Sequence, residues 1–141
     1  MKKPVRSVWA IFAVLCAVVA IAIVVKALQP QEIIPWRNDF VAATEESHRV
    51  GKPVFAYFTA IWCGPCQSMK HTTWAHPIVE EALRGYVPVK IDLDHNPDLA
   101  EKYNVRAVPA FAVLGDDGKA LKQTDGALSP EEMVTWIKEG K

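Results

Sequence analysis

Residues 54–66, Val-Phe-Ala-Tyr-Phe-Thr-Ala-Ile-Trp-Cys-Gly-Pro-Cys, decide the fold of this chain. The apolar and aromatic run that follows Pro53 is typical of a central strand buried on both faces. Two cysteines spaced Cys-x-x-Cys come directly after it, and Pro65 suits the first turn of a helix that continues to about Lys70. The stretch therefore predicts a buried strand followed by a helix whose first turn carries Cys63 and Cys66.

The sequence around this stretch predicts further elements in the order α, β, α, β, α, β, β, α. Helices are indicated at 39–50, at 65–70 with a second start at 77–83, at 97–103 and from 130 onward, and strands at 54–58, 87–93, 110–114 and 119–123. Residues that favour capping support these helix ends. Helix starts are indicated by Asn38 or Asp39, by Asn96, and by Ser129 with Glu132. Helix ends are indicated by Gly51 and Asn104. Gly-Asp-Asp-Gly at 115–118 predicts a hairpin. The pattern predicts an α/β fold with a mixed central sheet and helices on both faces.

An unbroken apolar run of 18 residues, 8–25, precedes the domain. As a helix it would extend about 27 Å, close to the hydrocarbon thickness of a bilayer of about 30 Å. A cleaved signal peptide is the alternative, but its apolar region has about 7–15 residues and small residues at the cut. The residues at 25–27 make a poor cleavage site, so the run predicts a transmembrane anchor.

The predicted organisation is a basic segment at 1–7, the anchor at 8–25, a proline-containing linker at 26–37 and one domain at 38–141. Basic residues are more frequent before the span than after it, which favours a cytoplasmic N-terminus. They are Lys2, Lys3 and Arg6 before it, and Lys26 and Arg37 after it. The domain is then expected on the exoplasmic side of a single-pass membrane protein, which is the periplasm in a Gram-negative bacterium.

The distribution of charge and the number of cysteines exclude some classes of function. Four of the 16 basic residues lie at or before Lys26 and all 16 acidic residues lie after it, so the rest of the chain has a net charge of −4. It has no basic stripe with interleaved aromatic residues, and we therefore expect no nucleic-acid partner. Three cysteines are too few for a disulfide-stapled scaffold, and we assign no chemistry to Cys16 within the apolar run.

The Cys-x-x-Cys pair carries the chemistry. At the first turn of a helix, unsatisfied backbone N–H groups and the positive end of the dipole stabilise the thiolate of Cys63. We therefore assign Cys63 as the nucleophile and Cys66 as the residue that resolves the mixed disulfide. Gly64 keeps one side of the sulfur uncrowded, Pro65 presets the helical φ, and Trp62 flanks the site.

Two other interpretations of the pair stay open. A static disulfide is possible in an exported domain, although a bond that closes so short a loop contributes little stability. A metal site is the other, because His71 and His76 follow Cys66 and thiolate with imidazole suits zinc or copper. Structural zinc usually needs a second ligand pair at motif spacing, which this sequence does not offer. We expect no metal ligands.

Residues 39–139 resemble the thioredoxin family. The resemblance rests on Trp-Cys-Gly-Pro-Cys at 62–66, Asp-His-Asn-Pro at 94–97, Tyr-Asn-Val-Arg-Ala-Val-Pro at 103–109 and Gly-Ala-Leu-Ser at 126–129. It implies a thioredoxin fold and exchange of dithiol for disulfide with protein substrates, without a bound cofactor. Residues 70–77 are more similar to membrane-linked thioredoxin-like domains, including those of disulfide interchange proteins, than to small cytosolic thioredoxins.

The same resemblance implies roles for four further residues. Pro109 is expected to be cis and to lie against the cysteines, and its neighbour Val108 to pair with the substrate backbone. Where thioredoxins have a buried aspartate this chain has Tyr57, and Lys90 stands at the place of the aspartate's lysine neighbour. We hypothesise that Cys66 loses its proton to water or another group, assisted by the charge of Lys90. Core packing is the plainer role for Tyr57.

The direction of electron flow is less constrained. Gly-Pro between the cysteines is the pattern of reducing thioredoxins, so a disulfide reductase is expected, with an oxidase or isomerase as the alternative. A reductase outside the cytosol must itself be re-reduced, which implies a membrane electron-transfer partner. A metal-binding or redox-inactive, chaperone-like module is the alternative from another class, because a fold alone does not establish function.

Overall fold

The computed structural model describes residues 5–139, and it divides the chain between Pro30 and Gln31 into two compact units. Residues 1–4 of the predicted basic segment 1–7, and the last two residues of the predicted domain 38–141, lie outside the described residues.

The first unit is the helix α1, Val5–Leu28. It extends three residues beyond each end of the apolar run at 8–25, so Lys26 lies in its last turn, where a positive charge interacts favourably with the helix dipole. Among residues 5–139 it is the one helix long and apolar enough to cross a membrane, with a 21-residue candidate span at Val8–Leu28 and a mean hydropathy of 3.1. A signal sequence near an N-terminus can also meet these criteria of length and apolar composition.

The second unit is built on a four-stranded sheet of β1 (Val54–Thr59), β2 (Val87–Asp92), β3 (Ala110–Leu114) and β4 (Ala120–Asp125), in the order β2-β1-β3-β4. β1 pairs parallel with β2 and antiparallel with β3, which pairs antiparallel with β4. The helices are α2 (Phe40–Val50), α3 (Gly64–His71), α4 (Pro77–Leu83), α5 (Pro97–Lys102) and α6 (Pro130–Lys138). A 3₁₀ turn at Thr73–Ala75 separates α3 from α4, at the predicted interruption. The mixed sheet predicted from the sequence is confirmed.

The side chains of β1 alternate between two buried clusters, because successive residues of a strand point to opposite faces. Phe55 and Tyr57 belong to the cluster that also contains Cys63, Cys66 and buried residues of α4 and α6. Val54, Ala56 and Phe58 belong to the other cluster, with residues of α2 and α5 packed against it. Helices therefore cover both faces, and the cysteines lie over the face that carries Tyr57.

The predicted helix caps are confirmed with one difference. The Asp39 carboxylate accepts a hydrogen bond from the Ala42 N–H at 3.0 Å, and Ser129 forms the reciprocal capping box with Glu132. Asn96 precedes α5 but makes no capping hydrogen bond with its side chain. Its amide instead donates to the Asp92 carbonyl at 2.8 Å, which ties the start of α5 to the end of β2.

The prediction of a linker at 26–37 is wrong for its second half. Residues 31–37, which we call the edge segment, pack along β2 at the edge of the sheet. The Arg37 N–H donates to the Pro88 carbonyl at 2.9 Å, and the Arg37 carbonyl accepts from the Lys90 N–H at 2.8 Å. Ile34 is only 5% exposed and Trp36 packs against the same cluster. The two prolines suggested an extended tether, whereas these two apolar side chains hold the segment on the domain.

Ile34→Ala is therefore expected to destabilise the domain by about 2–4 kcal/mol, because it removes buried methyl groups and leaves a cavity. Ile33 is the matched control, since it is the same residue type, adjacent, and 41% exposed. Ile33→Ala should cost less than about 1 kcal/mol. Urea unfolding followed by tryptophan fluorescence measures both, and equal losses would show that the edge segment is not part of the folded core.

Candidate active site

Cys63 lies at the junction of β1 and α3. Its backbone is extended (φ −81°, ψ 103°), and it occupies the N-cap position of α3, with Gly64 and Pro65 as the first two helical residues. The Cys63 sulfur accepts a hydrogen bond from the backbone N–H of Cys66 at 3.2 Å. A thiolate at this place is stabilised by that donor and by the helix dipole.

Cys63 and Cys66 form a disulfide, with Cα atoms 5.3 Å apart. Both are buried, Cys63 at 3% exposure and Cys66 at 1%, while Gly64 and Pro65 between them are exposed. The N-terminal sulfur is thus the one that is oriented by the helix start. Thiol–disulfide exchange is the chemistry that a disulfide at a helix N-terminus supports.

Trp62 stands beside the pair at the surface. Its indole is 68% exposed, and the Nε1–H donates to the Asp94 carboxylate at 3.1 Å. The Asp94 N–H in turn donates to the Asp92 carboxylate at 2.9 Å. The sequence placed Trp62 at the site but gave no role to Asp94, because the two residues lie 32 positions apart and meet only across β1 and β2.

The Val108–Pro109 peptide bond is cis, as the resemblance implied. Pro109 is buried, and its carbonyl accepts a hydrogen bond from the Gly126 N–H at 2.8 Å. Val108 is partly buried and packs against the cluster that contains both cysteines. The roles of Val108 and Pro109 in substrate binding stay predictions.

Tyr57 lies under the site as an aromatic core residue. It is 1% exposed, and its ring lies 5.6 Å from that of Phe111 and 4.9 Å from that of Trp74, measured between ring centroids. Burial raises the pKa of Tyr57, so its hydroxyl keeps its proton at neutral pH. It provides the packing that the sequence suggested and no anionic proton acceptor.

Lys90 is paired with Tyr57 in the register of β1 and β2. Its ammonium forms an ion pair with the carboxylate of Glu32, on the edge segment. The sequence missed Glu32 because that residue lies in the stretch interpreted as a linker. Nothing in the sequence around Glu32 indicated that its side chain would contact β2.

Of the two histidines in the metal interpretation, His76 has a structural role. His76 is the N-cap residue of α4, and its Nδ1 accepts a hydrogen bond from the Ile78 N–H at 3.3 Å. Across residues 5–139 no three cysteine, histidine or acidic side chains come together in a way that would hold a metal ion.

Comparisons with known proteins agree on one family. The thioredoxin-like domain family matches residues 40–141. The chain is 42% identical over 90 residues to thioredoxin Y2 of Arabidopsis thaliana chloroplasts, covering 61% of this chain but only 50% of that protein. It is 36% identical over 105 residues to an H-type thioredoxin of Oryza sativa subsp. indica, covering 72% of this chain and 80% of that one.

A solved structure shares the fold at lower identity. The reduced C-terminal domain of DsbD from Neisseria meningitidis superposes with a TM-score of 0.63 at 24% identity, over 72% of this chain and 93% of that domain. At this level of identity the likeness concerns the fold.

Substitution of single cysteines tests the order of attack. Cys66→Ser should accumulate a mixed disulfide with a disulfide-containing protein, because Cys63 still attacks and nothing resolves the product. Cys63→Ser should accumulate less than about a tenth as much, since Cys66 is the more buried thiol. Both variants carry Cys16→Ser, which removes the other free thiol. Non-reducing electrophoresis detects the adduct, and equal trapping by both variants would contradict the assignment.

Proposed function

The chain belongs to the thioredoxin-like family and is a disulfide oxidoreductase of that family, and from this premise we propose that it reduces disulfides in exported proteins while anchored to a membrane by α1. The observation that carries the proposal is the Cys63–Cys66 disulfide at the start of α3, with the Cys63 sulfur as the helix cap.

The reaction follows from the positions of the two sulfurs. In the reduced protein the Cys63 thiolate attacks one sulfur of a substrate disulfide, and the other substrate sulfur leaves as a thiolate. The Cys66 thiol loses its proton and attacks the Cys63 sulfur, which forms the Cys63–Cys66 disulfide and releases the second substrate thiolate. Two electrons pass from the protein to the substrate, and no bound cofactor takes part.

The identity of the residues between the cysteines supports the reducing direction. Pro65 has no N–H, so it cannot donate to the Cys63 sulfur as another residue at that helical position would. A less stabilised thiolate means a less stabilised dithiol and therefore a stronger reductant. An oxidase or isomerase is the opposing proposal, to which an exoplasmic location and a valine before Pro109 lend support.

A reductase on the outer side of a membrane needs a supply of electrons. We therefore propose a membrane electron-transfer partner that reduces the Cys63–Cys66 disulfide by a second thiol exchange. The apolar length of α1, which suits a membrane anchor, supports a partner of this kind in the same membrane. Val108, which packs against the cluster that contains both cysteines, and the cis Pro109 that follows it are proposed to contact both the substrate and this partner.

An activity and a potential together test the direction. The full-length protein in detergent should reduce insulin disulfides with dithiothreitol as electron source, and Cys63→Ser should fall to the uncatalysed rate. The reduction potential of the pair, measured against glutathione, should lie below about −220 mV, on the thioredoxin side of the range. A value near −120 mV would make the protein an oxidase, and background-level insulin reduction by wild type would favour a binding module.

Topology is tested by thiol labelling in intact cells. After mild reduction a membrane-impermeant maleimide should label Cys63 in intact cells to at least about 80% of the extent seen after lysis, because the positive-inside tendency places the domain outside. The Cys63→Ser/Cys66→Ser double variant provides the background. Labelling confined to lysed cells would place the domain in the cytosol, and a mass lacking the first residues would show a cleaved signal peptide.

A further inference from the structure

Glu32 and Lys90 form an ion pair on the sheet face that carries the active site. Their side chains are 19% and 21% exposed, so both charges are largely withdrawn from water. Glu32 comes from the edge segment, outside the residues 40–141 that the family matches, and Lys90 from β2. The pairing therefore joins a residue outside the matched domain to a strand within it.

A pocket of about 430 Å³ lies between Lys90 and the residues next to the cysteines. Tyr57 and Lys90 line it on the side of the sheet, and Ala60, Ile61 and Gln67 line it next to the cysteines. The Ala60 carbonyl accepts the hydrogen bond of the Cys63 N–H at 3.2 Å, and Gln67 directly follows Cys66. Lys90 therefore lines the same pocket as residues that flank the two cysteines in the chain.

The charged and titratable groups around the pocket come from every element that borders it. Lys70 comes from α3, Asp92 from β2 and His95 from the loop that follows, with Tyr57 on β1. The Asp92 carboxylate accepts a hydrogen bond from the Asp94 N–H, and its Oδ2 lies 3.3 Å from Nδ1 of His95. Tyr57 is neutral because burial raises its pKa, and the nearby Glu32 charge adds to that rise.

Lys90 is held in place from a second side. Its ammonium lies 5.5 Å from the centre of the Trp36 ring, which belongs to the same edge segment as Glu32. Trp36 in turn packs against Tyr57, with ring centroids 5.4 Å apart. The edge segment thus fixes the ammonium and supplies the carboxylate that neutralises it.

We propose that Glu32 tunes the reducing power of the cysteine pair: by neutralising Lys90, it prevents an uncompensated positive charge from stabilising the thiolate beside the pocket. This inference rests on the proposed function and names a positioning residue for it, since Glu32 acts through Lys90 and not by contact with the sulfurs. A positive charge left alone in the pocket stabilises the thiolate and hence the reduced protein, which makes the pair more oxidising.

The two single variants are expected to act in opposite directions. Glu32→Gln leaves Lys90 unpaired, so the pH midpoint for alkylation of reduced Cys63 should fall and the equilibrium constant for oxidation by glutathione should decrease about threefold to tenfold. Lys90→Met leaves the Glu32 carboxylate unpaired, so both quantities should change in the other direction. A tenfold change in this two-electron equilibrium corresponds to about 30 mV.

Two further variants complete the experiment. Glu32→Gln/Lys90→Met removes both charges and should return within about twofold of wild type. Glu46→Gln is the matched control, because Glu46 pairs with Arg37 of the same edge segment, with Arg37 Nε donating at 2.9 Å, and neither residue lines the pocket. All proteins are full length, in detergent, with Cys16→Ser, and urea midpoints verify that they are folded.

Opposite shifts in the single variants with recovery in the double variant would establish the inference. Shifts in the same direction, or none in Glu32→Gln, would overturn it and leave the ion pair a structural contact. If Glu32→Gln does not fold, the comparison of Lys90→Met with the double variant makes the same test. Failure of the proposed function is distinguishable, because wild-type insulin reduction would then equal that of Cys63→Ser.

Discussion

The junction between β1 and α3 is the constraint on which the rest of the structure depends. The central strand β1 ends at Thr59, and α3 begins a few residues later at Gly64. The first N–H groups of a helix have no hydrogen-bond partners within the helix. Cys63 occupies the cap, and its sulfur takes the donor that a serine or aspartate would take elsewhere. Reactivity at Cys63 is therefore a consequence of how the chain turns from the sheet into the helix.

Aromatic side chains fill the core beneath that junction. The rings of Tyr57, Trp74 and Phe111 pack against one another at the buried end of the site, and Phe55 and Trp136 extend the cluster toward α6. Large rings contribute much buried apolar area and have few rotamers, so they hold the helix start rigidly. The same packing excludes water from Tyr57, and the ion pair of Glu32 with Lys90 reaches this side of the sheet from the strand edge and not from beneath.

Local signals in the sequence accounted for most elements of the domain. Pro65, Pro77, Pro97 and Pro130 each fall in the first turn of a helix, and Gly51 ends α2 with φ 65°. These residues act within a few positions of themselves, so their effect is visible in the sequence. The edge segment was missed because its placement depends on contacts with β2, some fifty residues later. Glu32 and Asp94 were missed for the same reason: each acts on a partner distant in sequence, and a single acidic residue has no periodic pattern.

The balance of forces on the Cys63 sulfur can be argued from its neighbours. An N-cap side chain accepts from the second or third helical N–H. In α3 the second position is Pro65, which has no N–H, and the third is Cys66, whose N–H is the donor observed at 3.2 Å. One of two possible donors is therefore absent by covalent structure, and the burial of Cys63, which is 3% exposed, also disfavours the charged form of its sulfur. Both effects lower the stability of the thiolate relative to a solvated cap with two donors.

The dipole of α3 acts in the opposite direction and stabilises the thiolate, although α3 has only eight residues. A pair with a moderately stabilised thiolate retains a nucleophile at neutral pH and still gives up its electrons readily, which is the combination that the proposed reductase activity requires.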